Sequence, residues 1–351
     1  MTPHSPSPPA GGADLQAGAP DGPFDAFVVA ASEDGVRTGV STLTLDDLPT
    51  GEVLVAVDWS AVNYKDGMVT RPGNRVARIS PLVPGVDLVG RVVASEDPAV
   101  SPGSAVIVHG YDLGVARHGG FARYARVPSG WVVPLPDGLT ARRAAALGTA
   151  GFTAALSLHR LERLGLRPGT GPLLVTGASG GVGGMAVALA AARGYEVVAS
   201  TGRTAERPYL EGIGAADVIG REDLVIAPER TLGPERWSGA IDCVGGATLS
   251  SVLRTLRYGA AVAASGLTGG ATVETSVYPF IVRNVSLLGI DTVRTPIEER
   301  RAVWDELAGW VPGEVVDALV EGEVGLHGLA PVLEDILAGR VRGRMLVRPA
   351  G

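Results

Sequence analysis

Between Gly177 and Gly183 the chain reads GASGGVG, with glycine at 177, 180, 181 and 183. Residues without a Cβ let backbone N–H groups and the positive end of a following helix come close to a phosphate, so this turn can cradle a pyrophosphate. The spacing departs from strict G-x-G-x-x-G, and a glycine match alone is a weak signal. Its context strengthens it, because a buried strand precedes the turn and an alanine-rich helix follows. About twenty residues past the loop, where an NAD site places an Asp or Glu for the ribose 2′-hydroxyl, stand Ser200, Thr201, Gly202 and Arg203. An arginine and two hydroxyls suit a 2′-phosphate, so NADPH is the expected cofactor rather than NADH. The plain alternative for Arg203 is a solvated charge at a helix start.

These residues need a strand–turn–helix–strand unit to hold them. Leu173, Leu174 and Val175 form an apolar run with no polar alternation, as in a strand buried on both faces of a parallel sheet. A helix is expected over 185–192 and a returning strand over 196–200. Further helices at 205–213 and 247–256, and strands at 217–219, 239–244, 260–265 and 285–290, complete a doubly wound sheet of six strands. Upstream, short strands at 27–31, 51–59, 84–93, 100–108, 119–127 and 131–135, set off by Pro/Gly turns, suggest a partly open β-barrel. Helices at 140–146 and 148–164 lead into the nucleotide domain. Beyond Thr292, helices at 298–310 and 329–337 and a strand at 344–348 should return to the first domain. The expected organisation is therefore α/β: a tail over 1–22, a barrel domain over 23–149, a doubly wound domain over 150–292, and a closing segment over 293–351.

Composition narrows the class. A chain of 351 residues is long enough for two domains, and 46% hydrophobic residues with 19% charged describe a globular protein. A net charge of -7 carries no basic footprint for nucleic acid or an anionic membrane surface. The apolar runs are shorter than the eighteen or so residues of a membrane span. Residues 1–22, rich in Pro, Gly, Ser and Ala, lack the bulk to order themselves and lack the basic start and apolar stretch of a secretory signal. Cys243 is the single cysteine, which fits a reducing, cytoplasmic setting and leaves no multi-cysteine zinc lobe. His4, His109, His118, His159 and His327 show no ligand spacing; His118, beside Gly119 and Gly120, is the one expected near a cleft.

With these pieces in order, the chain resembles the medium-chain dehydrogenase/reductase superfamily, specifically its zinc-independent quinone-oxidoreductase-like branch, and within it the acryloyl-CoA reductase group. The segments that carry the likeness are VNYKD, PLVPGVDLVG, ASEDP, HGGFARYARV, GTAGFTAAL, VTGASGGVG, STGR, GAIDCVGG, PFIVRNVSLLGIDTV and the terminal GRMLV, spread over 24–349. The resemblance implies a GroES-like barrel domain completed by the C-terminal segment, a Rossmann domain, a cleft between the two, and commonly a homodimer. Zinc relatives carry Cys-His-x-Asp where this chain has Asn63, Tyr64, Lys65 and Asp66, and Gly-His-Glu where it has Gly85, Val86 and Asp87. Without a thiolate or imidazole at those places, no tetrahedral catalytic zinc is expected.

A hydride acceptor that needs no Lewis acid is an activated C=C bond or a quinone, because the adjoining carbonyl already delocalises the arriving charge. Tyr64 is then the main active-site candidate, with Asn63 and Lys65 as weaker ones and packing as the plain alternative; Asp66 should hold the loop by accepting from backbone N–H groups. By resemblance the cofactor contacts fall on Tyr64, Ser179, Gly180, Gly181, Val182, Ser200, Thr201, Arg203, Arg221, Leu267, Ile281, Thr292 and Arg344. For Leu267 and Ile281 plain core is equally expected, and for Arg221 and Arg344 a surface charge. Arg71, Arg75 and Arg78 crowd a loop near Tyr64 and could meet CoA phosphates, or could simply be solvated. Three functions stay open at this point. They are an NADPH-dependent reductase of acryloyl-CoA, an NADPH:quinone or enone oxidoreductase, and a non-catalytic NADPH-binding protein.

Overall fold

The computed structural model describes residues 22–33, 35–227 and 229–350, so the expected N-terminal tail lies outside the described residues but for Gly22. The chain opens with a hairpin of β1 (Phe24–Ser32) and β2 (Gly35–Leu43). No strand is expected from the sequence over 33–50. β2 forms there all the same by pairing with β1 along its length, and its residues are half-buried or exposed, so it shows no apolar run. Then come β3 (Val53–Ala61), the single-turn helix α1 (Tyr64–Met68), β4 (Asp87–Ser95), β5 (Ala105–His109), β6 (Tyr124–Val127) and β7 (Val133–Pro134). β6 begins later than the 119–127 pattern suggests. The N–H groups of Gly119 and Gly120 are spent on the carbonyls of Val83 and Gly85, which pins that segment against the Pro84–Gly85 turn instead.

The helix α2 (Ala141–Arg163) runs on through the expected break at 146–148, but Gly148 sits inside it at φ 46° and ψ -152°. That kink is open to glycine alone, since a Cβ there would lie 2.5 Å from Asp87 Oδ2. Six parallel strands follow: β8 (Leu173–Thr176), β9 (Val197–Thr201), β10 (Asp217–Gly220), β11 (Gly239–Asp242), β12 (Ala261–Ala264) and β13 (Ser286–Gly289), in the order β10-β9-β8-β11-β12-β13. The helices that wind this sheet are α3 (Gly181–Ala192), α4 (Arg207–Gly212), α5 (Gly246–Thr255) and α6 (Tyr278–Arg283). The sheet order reverses beside β8, and the glycine turn leaves β8 at that point, where an open α/β sheet places its ligand crevice.

The last segment holds α7 (Ile297–Trp310), α8 (Gly313–Ala318), β14 (Val320–Gly325), α9 (Leu329–Leu337) and β15 (Arg344–Arg348). Of these α8 and β14 are not legible as periodic segments, being short and half-exposed. β15 pairs antiparallel with β3 at Ser60 and Ala61 and parallel with β14, so the barrel sheet runs β14-β15-β3-β4-β5-β7 with β6 also on β3. The chain end thus returns to the GroES-like barrel, while α7 packs on α2 beside the Rossmann sheet. One apolar cluster joins α2, α3 and the sheet to Ala61, Ile107 and Leu346 of the barrel, so the two layers share a core at their junction. No helix among the described residues is long and apolar enough to cross a membrane.

Candidate active site

Where the barrel and the Rossmann sheet meet, a cavity of about 500 Å³ is lined by residues of α1, the glycine turn, the end of β9 and the link between α9 and β15. Its Rossmann wall follows from local sequence. Gly177, at φ 62°, turns the chain out of β8, and Gly183 lies so close beneath it that a Cβ would stand 2.3 Å from the Gly177 carbonyl oxygen. Gly180 then caps α3 without a side chain, leaving the first-turn N–H groups beside Gly180, Gly181 and Val182 at the cavity edge.

At the end of β9 two hydroxyls and two arginines converge. Ser179 Oγ lies 2.9 Å from Thr201 Oγ1, and Arg203 Nε donates to Ser179 Oγ at 3.2 Å. The backbone N–H of Arg203 is held by Thr201 Oγ1 at 3.0 Å, which aims its side chain. Arg221 lies over Gly202, within 2.7 Å of where a Cβ would be. Among the described residues, no Asp or Glu lines the cavity beside this pair. Arg203 also donates to the carbonyls of Ser179 (3.0 Å), Arg340 (3.1 Å) and Val341 (3.2 Å), and Gly343 N–H donates to the Ser179 carbonyl, so the glycine turn is tied to the α9–β15 link across the cavity.

The barrel wall rests on a buried polar cluster. Arg344, 2% exposed, donates to the carbonyls of Ala146 (2.9 Å) and Val62 (3.2 Å) and to Asn63 Oδ1 (3.1 Å), and pairs with Asp87 Oδ2 at 3.3 Å. Asp87 in turn accepts from Asn63 Nδ2 (2.8 Å) and, on its other oxygen, from the Thr149 N–H (2.9 Å) and hydroxyl (2.5 Å). Asn63 Nδ2 also donates to the Ala61 carbonyl (3.2 Å), so every polar atom of its amide is occupied, and its position is set by partners from three separate elements, β3, β4 and β15. Tyr64 follows at once and is 38% exposed on the cavity rim. It opens α1, where a loop is expected from the sequence, because Asp66 accepts from the Asn63 N–H (2.8 Å) and donates its own N–H to the Asn63 carbonyl (2.9 Å), which closes that turn.

Asp66 is fully buried and accepts from the N–H groups of Asn63 (2.8 Å), Gly85 (3.0 Å) and Val86 (3.0 Å). Burial is the largest influence on its carboxyl and pushes it up to about 7, with nearby Asp87 adding to the rise and the three donors opposing it. Its anchoring role matches the expectation, though two of its partners lie across the fold rather than in its own turn. Cys243 also borders the cavity, but burial and the neighbouring Asp242 push its thiol up to about 12, which leaves it protonated and a poor nucleophile.

Of the residues expected to hold a cofactor, Tyr64, Ser179, Gly180, Gly181, Val182, Thr201, Arg203, Arg221 and Arg344 line this one cavity, with Asn63 beside them. Ser200 is buried within β9 behind the wall, its carbonyl accepting from Ala178 N–H. Leu267, Ile281 and Thr292 lie outside the lining. Leu267 is 56% and Ile281 72% exposed, so neither shows the core packing or the cavity contact expected of it; Ile281 lies on the side of α6 that also exposes Tyr278 and Val282. The Thr292 carbonyl is taken by Arg300 (3.0 Å). His118 is not part of the cavity either; its Nδ1 accepts from the Val83 N–H at 3.2 Å and so serves the turn. Sequence reasoning missed Ala338, Gly339, Val341 and Gly343, which form the wall facing the glycine turn. The alternation of glycine and arginine in AGRVRGR was the available sign of an exposed, closely approached backbone there.

Two family models match the chain: residues 49–137 match an alcohol dehydrogenase GroES-like domain, and residues 181–309 a zinc-binding dehydrogenase. A putative quinone oxidoreductase of Bacillus subtilis is 47% identical over 93% of this chain and 98% of its own length. The crystal structure of that protein, with NAD bound, superposes with a TM-score of 0.91 over 94% of this chain and 100% of its own. An acrylyl-CoA reductase of Ruegeria pomeroyi is 46% identical over 92% of this chain and 98% of its own. A Salmonella enterica oxidoreductase in complex with NADP is 40% identical, with a TM-score of 0.90 over 93% of this chain and 99% of its own.

Proposed function

The chain belongs to the medium-chain dehydrogenase/reductase family, within its quinone-oxidoreductase-like branch, and from that premise we propose that it is an NADPH-dependent, zinc-independent reductase of the C=C bond of a short α,β-unsaturated acyl-CoA, with acryloyl-CoA as the preferred substrate. The observation that carries the cofactor is the strand end at Thr201–Arg203, where Arg203, Arg221, Ser179 and Thr201 converge and no acidic side chain lines the cavity among the described residues. That donor set fits a 2′-phosphate, and the glycine turn above α3 fits the pyrophosphate. Arg344 sits within 3.2 Å of where a Cβ on Gly181 would be, so it supplies a cation on the far side of the same turn.

A reduced nicotinamide bound in this cavity supplies a hydride, and a conjugated thioester accepts it at the β-carbon. Asn63 and Tyr64 make the barrel wall that such an acceptor would meet, and their placement by Asp87 and Arg344 keeps that wall rigid. The Tyr64 hydroxyl, on that wall, is our candidate to hold a proton for the α-carbon. Asn63 and Val86 offer no thiolate or imidazole, and Asp87 is already committed to Arg344, so activity should survive exhaustive chelation. The name of the Ruegeria pomeroyi relative favours a thioester as the acceptor, while that of the Bacillus subtilis relative favours the second reading, an NADPH:quinone or enone oxidoreductase. The partner we expect is a second copy of the chain, since β13, an edge strand among the described residues, exposes Leu287 and follows α6, which exposes Tyr278 and Val282. The non-catalytic reading has no observation in its favour.

The deciding experiment is steady-state NADPH oxidation with acryloyl-CoA, crotonyl-CoA and a benzoquinone. Acryloyl-CoA should give the highest kcat/KM, with crotonyl-CoA lower by roughly 10- to 200-fold if the pocket closes at the β-carbon. Turnover of the quinone without turnover of either thioester would replace the first reading with the second. Tyr64→Phe separates roles. A large loss in kcat with unchanged NADPH affinity indicates proton donation, and a modest change in both indicates positioning.

A further inference from the structure

Among the 30 lysines and arginines of the sequence, Lys65 is the only lysine. It is the second residue of α1, next to Tyr64 on the cavity rim. The chain then enters a loop that carries Arg71, Arg75 and Arg78 before the barrel resumes. The loop is built, not slack. The Asn74 side chain accepts from the N–H groups of Val76 (3.0 Å) and Ala77 (2.8 Å) and donates to the carbonyls of Val69 (3.1 Å) and Arg71 (2.8 Å). Thr70 closes back on the Gly67 carbonyl at 2.8 Å, and the Arg78 N–H is held by the Val115 carbonyl at 2.9 Å. A local frame this well bonded fixes where its arginines leave the backbone.

Charge separates the loop from the rest of the molecule. The chain carries a net -7, yet residues 65–80 hold four cations and a single acid, Asp66, which is buried and turned to the Gly85 turn. Arg78 is neutralised by Asp112 at 2.5 Å. Lys65, Arg71 and Arg75 have no carboxylate and no hydrogen-bond acceptor among the described residues; Arg71 and Arg75 are exposed and Lys65 is half-buried. Unneutralised cations on a bonded loop that leaves the cavity rim at Tyr64 attract a polyanion. The cofactor's phosphates have their own donors on the opposite wall, at the glycine turn, Arg203 and Arg221.

We propose that Lys65, Arg71 and Arg75 form the site for the nucleotide phosphates of an acyl-CoA, with the pantetheine arm running from Tyr64 outward over α1. The inference rests on the thioester reading of the active site. The seven residue steps from Tyr64 to Arg71 would span at most about 25 Å extended, and span less here because 64–68 are helical, which brings the separation to the order of a pantetheine arm's length. A lysine beside the rim and two arginines further out then meet the diphosphate and the 3′-phosphate.

The single lysine makes the test direct. Amine-reactive labelling followed by mass spectrometry reads Lys65 separately from the N-terminal amine. Adenosine 3′,5′-bisphosphate, which reproduces the nucleotide end of CoA, should protect Lys65, whereas its 2′,5′ isomer, which reproduces the phosphorylated end of NADPH, should not. In parallel, the double variant Arg71→Ala/Arg75→Ala should raise KM for acryloyl-CoA about tenfold more than KM for the acryloyl thioester of N-acetylcysteamine, which lacks the nucleotide. Equal protection by both isomers, no protection by either, or an equal KM change for both thioesters overturns the proposal. If quinones are reduced and neither thioester is, the thioester reading fails, and the labelling result alone then decides whether the loop takes this nucleotide.

Discussion

Asp87→Asn is the substitution on which the account of the barrel wall stands or falls. Asp87 and Arg344 are each 2% exposed at the side chain and lie 3.3 Å apart, so their charges are shielded from water and compensate one another. The amide would keep an acceptor for Thr149 or for Arg344, but not for both, and would place an NH2 against donors that now meet a carboxylate oxygen. Breaking one side of such a pair costs about 3–5 kcal/mol, because the remaining guanidinium stays buried without its counter-charge. We expect a loss of that size in denaturant unfolding at unchanged m-value, and weaker NADPH binding in a fluorescence titration, since Asn63 and Arg344 both line the cavity. Arg344→Met alone should cost a similar amount for the mirror-image reason. The two together should cost less than their sum by about 2 kcal/mol, as contacting residues in one network couple. Additivity within about 0.5 kcal/mol, or a cost for Asp87→Asn under about 1 kcal/mol, would refute the reasoning.

Arg203→Glu should weaken NADPH by ~1.5–3 kcal/mol in calorimetric titration and leave NADH far less affected, as for the loss of a charge-assisted hydrogen bond to the 2′-phosphate. Wild-type affinities that are equal for the two cofactors would sink that assignment. Asp66 sets a pH dependence. Its folded value of about 7 lies above its ordinary 3.8, so the folded chain keeps a proton that the unfolded chain releases, and the stability this residue contributes is full below pH 3.8 and lost as pH rises through 7. The unfolding free energy of Asp66→Asn should lack that decline between those two values, and parallel profiles for wild type and variant would show that Asp66 does not titrate there.

What the sequence determined on its own was the part of the molecule whose causes are local. The apolar run at Leu173, the glycines from 177 to 183 and the returning strand through Thr201 specify the Rossmann turn, because strand burial, missing Cβ atoms and helix propensity act within a few residues of one another. The same reading located α9 and β15, and it showed that Asn63 and Val86 cannot offer soft metal ligands. It went astray where a segment is stabilised by a neighbour in space: β2 exists through β1, β14 through β15, and the late start of β6 through the Pro84–Gly85 turn. Only the tertiary structure decided that Arg344 would meet Asp87, 257 residues away, that Arg203 would reach the carbonyls of Arg340 and Val341, and that the α9–β15 link would wall the cavity. An isolated arginine in a sequence reads as a solvated charge, since burying it without a partner is prohibitive. Its partner is supplied by chain folding alone, which brings together residues with no local reason to be paired and removes the water that would otherwise have screened them.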